Sequence, residues 1–293
     1  MSWQAGLKDK VIIVTGAGKG LGRAYALELA KHGARVVVNN RWKDPAQPSS
    51  AQSVVNEIKK NGGQAVASHH AVEHPASGEE MVALALKEFG QLDGVLANAG
   101  VPEAQSFGRM SIDEFRGVFD VNFFGTLHLV HAAWKVFLSQ KSGRAVVSTS
   151  AAGLHGNKGM AAYSSSKAAL IGLMRALSLE GESAGVRINA IAPYAATAMT
   201  EAYIQADLAT RMQPDAVAPL VAWMMSPSCD ITGQTLVAGA GRVRRGRTVE
   251  GPLVNLADNI PAAVQHAVQP TEQHDFAHAN AAFAGFLSQK PAL

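Results

Sequence analysis

Seven short apolar runs, separated by longer stretches of helical periodicity, most constrain what this 293-residue chain can fold into. The runs lie at residues 11–15, 34–39, 64–68, 94–97, 144–149, 187–191 and 235–238. Several are nearly unbroken Val, Ile and Ala, the pattern of strands covered on both faces. Between them the periodicity predicts helices over residues 21–32, 51–61, 78–89, 111–139, 162–183 and 215–225. Strand and helix alternating in this way predict an α/β fold with a doubly wound parallel sheet of the Rossmann type. Hydrophobic residues at 47% can fill its core, and 28 glycines suit its tight strand-to-helix turns.

Two stretches stand outside the alternation. Residues 41–50 carry two prolines and much polarity, so a long loop is expected after the second strand. Residues 246–293 are rich in Ala, Gln and His and hold Pro252, Pro261, Pro270 and Pro291. The expected organisation is one dinucleotide-binding domain over 1–245 that includes the catalytic site. The extension over 246–293 is expected to pack on the core or on a neighbouring subunit.

Charge and cysteine content narrow the function classes. The formal charge is +3, and the basic cluster Arg242-Val-Arg-Arg-Gly-Arg247 is short and lacks interleaved aromatics. It reads as a solvated surface or an anion contact, and no nucleic-acid partner is expected. A single cysteine, Cys229, permits no intrachain disulfide. Lys8, Asp9 and Lys10 precede a first apolar run too short to span a bilayer, so no signal or membrane partner is expected, and the cytoplasm is the default. His69, His70 and His74 lack a ligand spacing, and no catalytic metal is expected.

The first strand runs into Thr15-Gly16-Ala-Gly18-Lys19-Gly20-Leu21-Gly22 and then the first helix. Gly16 permits a sharp turn, and Gly20 and Gly22 permit close approach of backbone and helix to a ligand. The helix N-terminus then offers free N–H groups and a positive dipole end to a pyrophosphate. The second strand ends at Asn39-Asn40-Arg41, without the acidic residue that would take the ribose hydroxyls of NAD. Arg41 and Lys19 can meet a 2′-phosphate, so NADP(H) is favoured over NAD(H).

The chemistry is expected in Ser150-Ala-Ala-Gly-Leu-His155-Gly-Asn-Lys-Gly-Met-Ala-Ala-Tyr163-Ser-Ser-Ser-Lys167. Tyr163 and Lys167, at i and i+4, share one helix face, and Ser150 follows an apolar strand. A free phenol has a pKa near ~10 and is a poor base at neutral pH. A neighbouring ammonium favours the phenolate and is expected to lower that value. Ser150 can then hold a carbonyl oxygen while Tyr163 passes it a proton. Taken alone, the stretch reads more readily as a serine-rich helix start with a capping role for Ser164 to Ser166; the case for chemistry depends on the rest of the chain.

Together these residues resemble the classical short-chain dehydrogenase/reductase family over residues 8–240. Gly16-x-x-x-Gly20-x-Gly22 is similar to its cofactor loop, and Asn98-Ala99-Gly100 to its Asn-Ala-Gly motif. Asn122, Ser150, Tyr163 and Lys167 are similar to its active-site tetrad, with 13 positions from Ser to Tyr. Pro193 and Thr197 resemble its segment for the nicotinamide amide. Within the family, Gly20-Leu-Gly-Arg-Ala-Tyr-Ala-Leu27, Ile191-Ala-Pro193 and Val237-Ala-Gly-Ala-Gly241 resemble (3R)-hydroxyacyl-CoA dehydrogenase modules of multifunctional enzymes. Those relatives have Asp where Asn40 stands, so their NAD preference does not transfer. His70 replaces an Asp near the adenine, Ala97 replaces the first Asn of Asn-Asn-Ala-Gly, and Tyr194 replaces the Gly of Pro-Gly.

The resemblance implies hydride transfer between a nicotinamide cofactor and a secondary alcohol or ketone. Tyr163 is then the acid or base, Ser150 holds the substrate oxygen, Lys167 bonds the ribose, and Asn122 holds a water. A 3-hydroxyacyl-CoA is favoured as small-molecule substrate; a hydroxysteroid or other bulky secondary alcohol is the alternative, and a non-catalytic nucleotide-binding scaffold stands outside both. His155, Tyr194, Met199 and Tyr203 are candidate substrate contacts. Phe123, Phe124, Trp134 and Phe137 lie on the long helix expected to pair between subunits and read as interface or core, favouring a homotetramer or homodimer.

Overall fold

The computed structural model describes residues 2–42, 44, 46–197, 206–255, 260–268 and 273–276, with backbone alone for 206–208. Strands are β1 Val11–Val14, β2 Arg35–Asn39, β3 Gln64–Ser68, β4 Gly94–Ala97, β5 Gly143–Ser148, β6 Val186–Pro193, β7 Thr235–Gly239 and β8 Arg242–Gly246. Helices are α1 Gly20–Lys31, α2 Ser50–Lys60, α3 Ser77–Phe89, α4 Ile112–Phe119, α5 Gly125–Gln140, α6 Ala151–His155, α7 Ala161–Glu180, α8 Ala206–Arg211, α9 Ala218–Met224 and α10 Ile260–Ala267. Two compact units divide the chain, Met1–Arg245 and Gly246–Leu293. In the second, Arg247 pairs with Asp275 at 3.0 Å and Glu250 bridges to His274.

The eight strands form one sheet in the order β3-β2-β1-β4-β5-β6-β7-β8, parallel from β3 through β7. Alternate side chains of each strand serve opposite layers. Ile12, Val14, Val36 and Val38 face Tyr25, Leu29, Val54 and Val221 of α1, α2 and α9. Val11, Ile13 and Val37 face Met81, Leu129, Phe137 and Leu170 of α3, α5 and α7. Both layers are apolar, which is why the central positions of the strand runs are apolar on both faces. The order reverses at β1, whose neighbours β2 and β4 lead away in opposite directions. That reversal opens a crevice at the C-terminal ends of β1 and β4, where such sheets bind ligands.

All seven expected strands form, and an eighth, β8, joins them. It follows β7 through a two-residue turn, with Ala240 and Gly241 both in the left-handed region at φ +49° and +70°. Turns of this kind match the twist of a hairpin. The expectation of one helix over 111–139 is corrected: α4 and α5 are separated by a π-helical turn, Asp120–Phe124. The expected helix over 215–225 is likewise a 3₁₀ turn at Pro214–Ala216 followed by α9, with Pro219 in the first turn of the latter. Proline is tolerated there because those N–H groups have no partner within the helix.

Candidate active site

The crevice begins at the glycine loop. The Thr15 hydroxyl accepts hydrogen bonds from the N–H of Asn98 at 3.0 Å and of Ala99 at 3.1 Å. The Asn98 side chain donates back to the Thr15 carbonyl at 3.1 Å. These bonds clamp the ends of β1 and β4 together and place Asn98 and Ala99 against the loop, while a Cβ on Gly100 would stand 3.1 Å from Asn122 Oδ1 and 3.3 Å from Lys167 Nζ. Gly16 is left-handed at φ +63°, and a Cβ there would stand 2.9 Å from the Ala99 Cα. A Cβ on Gly22 would stand 2.3 Å from the Gly16 carbonyl oxygen, so α1 can start this close to the loop only without a side chain. A Cβ on Gly18 would meet the Ser50 hydroxyl and the Asn40 amide. Thr197 lies against the loop too, its methyl 3.6 Å from where a Cβ on Gly20 would be. Lys19, the N-cap of α1, is extended and makes no side-chain cap. The first N–H groups of α1 are therefore left to a ligand, and the loop fits a dinucleotide pyrophosphate.

At the far end of β2, Asn40 donates to the Ser50 hydroxyl at 2.8 Å. Arg41 forms an ion pair with Glu73, in the loop after β3. Trp42 packs on His69 at 5.2 Å between ring centroids, and Ser49, the N-cap of α2, is 3.3 Å from His69 Nδ1.

The chemical end of the crevice is built where β5, the π-helical turn and α7 meet. Ser150 is the N-cap of α6, its hydroxyl accepting from the Ala152 N–H at 3.1 Å. The same hydroxyl is hydrogen-bonded to the Tyr163 phenol. Lys167, one turn further along α7, is 4% exposed and its Nζ donates to the Ser148 carbonyl at 2.8 Å. Nζ lies 5.8 Å from the centre of the Tyr163 ring. Asn122 is fully buried in the π-helical turn. Its Oδ1 accepts from the Val101 N–H at 2.8 Å, and its Nδ2 donates to the Val101 carbonyl at 3.2 Å and the Ser166 hydroxyl at 3.1 Å. Ser166 in turn donates to the Tyr163 carbonyl at 2.8 Å. Asn122, Ser150, Tyr163 and Lys167 thus belong to one connected cluster. The widened turn supplies the extra residue that lets Asn122 face inward, a common use of π turns at functional positions.

Burial governs the charge states. Lys167 is depressed from 10.5 to about 8 because its ammonium is taken out of water. Burial also raises the Tyr163 phenol above its ordinary value, and the hydrogen bond from Ser150 pulls the other way. The expectation that the phenol is lowered is therefore corrected: the loss of water outweighs the Ser150 hydrogen bond and raises it, and Lys167 itself is partly neutral near pH 8.

The remaining candidates scatter. Pro193 closes β6 in register with Ala238. Tyr194 is 43% exposed beside Gly239, where a Cβ would meet its carbonyl oxygen at 2.6 Å. His155 ends α6 exposed to solvent. Met199 and Tyr203 lie outside the described residues. Ser148, Val101 and Glu73 were not singled out by sequence, and Thr15 and Ser166 were read only as part of the glycine loop and of a helix start, although a serine beside Lys167 and a threonine just after β1 were available signals. A depression of about 700 Å³ opens at the opposite edge, near the starts of β1 to β3, lined by Lys8, Glu28, Lys31, Glu57 and Asp215. It contains none of the cluster, and the strand reversal places the site at the other edge. Among the described residues no group of three or more His, Cys, Asp or Glu can hold a metal, and no helix is long and apolar enough to cross a membrane.

Comparison with known proteins gives concordant matches. The family model described as short chain dehydrogenase matches residues 10–208. Mouse (Mus musculus) peroxisomal multifunctional enzyme type 2 is 40% identical over 242 residues, 81% of this chain and 32% of that protein. The chain thus spans about a third of that relative's length. A 3-oxoacyl-[acyl-carrier-protein] reductase of Synechocystis is 38% identical over 81% of this chain and 98% of its own. Among solved structures, a short chain dehydrogenase from Mycobacterium avium superposes with TM-score 0.81 at 31% identity, over 92% of this chain and 99% of its own. A 7α-hydroxysteroid dehydrogenase complexed with NADH and 7-oxo glycochenodeoxycholic acid superposes with TM-score 0.74 at 29% identity, over 82% and 97%.

Proposed function

The chain belongs to the short chain dehydrogenase family and is an oxidoreductase, and from that premise we propose that it interconverts a 3-hydroxyacyl-CoA and a 3-ketoacyl-CoA. The observation that carries the reading is the Tyr163 phenol, bonded to the Ser150 hydroxyl one helical turn from buried Lys167. A nicotinamide dinucleotide, when bound, accepts or supplies the hydride. The glycine loop and the N-terminus of α1 would hold its pyrophosphate, with Asn98, Ala99 and Gly100 beside it.

The chain's own groups account for the proton. Tyr163 gives its phenolic proton to the carbonyl oxygen in reduction and takes it back in oxidation. A phenol raised by burial favours the protonated form at neutral pH, the form reduction needs. Ser150 donates to the same oxygen, where negative charge grows in the transition state. Lys167 is held by the Ser148 carbonyl, where it would meet a ribose hydroxyl of the bound dinucleotide, and its ammonium would offset charge on Tyr163. Asn122 positions α7 through Ser166 and the strand-end loop through Val101. Its proposed water, linking Lys167 to solvent, would sit on this network.

The acyl thioester reading is supported by the relative named as a 3-oxoacyl-[acyl-carrier-protein] reductase, together with the resemblance to (3R)-hydroxyacyl-CoA dehydrogenase modules. The steroid-bound structure favours a second reading, a hydroxysteroid substrate. An inert scaffold is disfavoured by the intact set of four groups. Lys19 and Arg41, with neutral Asn40 between β2 and the loop, favour NADP(H). We place the enzyme in the cytoplasm as a homodimer or homotetramer, which sedimentation and fractionation check. The test is nicotinamide absorbance with NADPH and NADH, each against a 3-ketoacyl-CoA and a steroid ketone. Turnover of the thioester with NADPH is expected; turnover of the steroid alone replaces the substrate, and no turnover of either removes both.

A further inference from the structure

We infer that Glu73 sets the discrimination between cofactors with and without a 2′-phosphate, by occupying the Arg41 guanidinium. The inference rests on the dinucleotide reading given above. Three chain segments converge where the adenosine end of such a cofactor would lie. The Asn39 carbonyl accepts from the Ala17 N–H at 2.8 Å, and the Asn40 N–H donates to the Ser68 carbonyl at 3.1 Å. The ends of β2 and β3 are thereby stitched to the glycine loop, and Asn40 touches the space beside Gly18. Arg41 is the next residue, and its guanidinium is engaged by Glu73 from the loop after β3.

A 2′-phosphate and a carboxylate compete for the same guanidinium fork. An anion arriving at Arg41 must displace Glu73 or share the charge with it. The pair is partly exposed, with side-chain exposures of 39% and 28%, so the competition is screened and modest. An unphosphorylated ribose gains nothing from the freed guanidinium. Glu73 therefore weakens one class of nucleotide and leaves the other unchanged. Lys19, exposed in the glycine loop, is a second cation that no carboxylate engages among the described residues, and it supplies a constant background to both arms.

The experiment is calorimetric titration of wild type and Glu73→Gln with adenosine 2′,5′-bisphosphate and with 5′-AMP, which differ by the 2′-phosphate alone. Glu73→Gln is expected to tighten the bisphosphate about fivefold at low salt, to leave 5′-AMP unchanged, and to lose the gain at high salt. The gain is expected to vanish in the Arg41→Gln background. An unchanged bisphosphate affinity in a variant with wild-type circular dichroism and melting midpoint overturns the inference. Equal tightening of both nucleotides, or a gain that persists without Arg41, overturns it as well. Wild type that binds neither NADH nor NADPH overturns the dinucleotide reading itself, a result distinct from these.

Discussion

The two ends of the crevice are built on different principles. At the chemical end, Asn122, Ser166 and Lys167 are buried, and every bond among them runs between helix positions or strand ends that the packing fixes. At the adenosine end, Arg41 and Glu73 meet from two loops, 32 residues apart in sequence and partly in water. The buried end has little freedom: each group has one partner geometry, and removing one strands another. The exposed end is adjustable, because an ion pair in water is worth only about 0–1 kcal/mol. On the function proposed above, a chain built this way keeps its reaction fixed while its choice of cofactor stays open to single substitutions.

The contrast can be broken at several points. The largest effect is expected at Tyr163→Phe, which removes one oxygen from the buried end. Turnover should fall by at least about 10³-fold while the nucleotide dissociation constant stays within twofold, as read by stopped-flow kinetics and titration. Retained turnover would move the proton transfer to another group. The next effect is on stability. Lys167 is held at about 8 against 10.5 in the unfolded chain, so the unfolded state binds more protons between these values. The penalty is therefore complete below pH 8 and is relieved as pH rises to 10.5, by roughly 3 kcal/mol. Denaturant titrations of wild type against Lys167→Met should converge over that window, and parallel curves would sink the assignment of cause.

A smaller loss is expected at the join between the two ends. Gly22→Ala places a methyl 2.3 Å from the Gly16 carbonyl oxygen and should cost about 1–3 kcal/mol of stability. Nucleotide affinity should fall with it, while residual turnover per bound complex is kept. The smallest effect belongs to the exposed end. Arg41→Gln should weaken a 2′-phosphorylated nucleotide by less than about tenfold and in a salt-dependent way, with no change in turnover at saturation. A loss as large as that of Tyr163→Phe would mean that the ends are not independent.

How much of this was legible in the sequence follows the same division. The parallel sheet was readable because residues such as Val36, Val37 and Val38 are buried on both sides, giving three successive apolar positions with no alternation. Tyr163 and Lys167 were readable because helix spacing alone puts them on one face. The π-helical turn was not, because what produces it is the bonding of Asn122 to Val101 and Ser166, residues 21 and 44 positions away. Strand β8 was hidden by its composition, Arg-Val-Arg-Arg-Gly, which carries no apolar alternation. Glu73 was hidden because nothing local ties an acidic loop residue to Arg41. The direction of the Tyr163 shift was missed for a related reason: spacing shows the neighbouring ammonium but not the depth of burial.

Strand β8 also bears on how copies of this chain can meet. The last strand of a sheet is a row of hydrogen-bonding groups to which another strand can add. Here that row is flanked by Arg242, Arg244 and Arg245, and the strand stands exposed from Arg242 to Arg245. Two copies approaching edge to edge would bring these guanidiniums near one another, and like charges placed opposite one another oppose strand pairing. The sheet is in effect terminated by electrostatic fencing. Growth of one molecule's sheet into the next is thereby opposed.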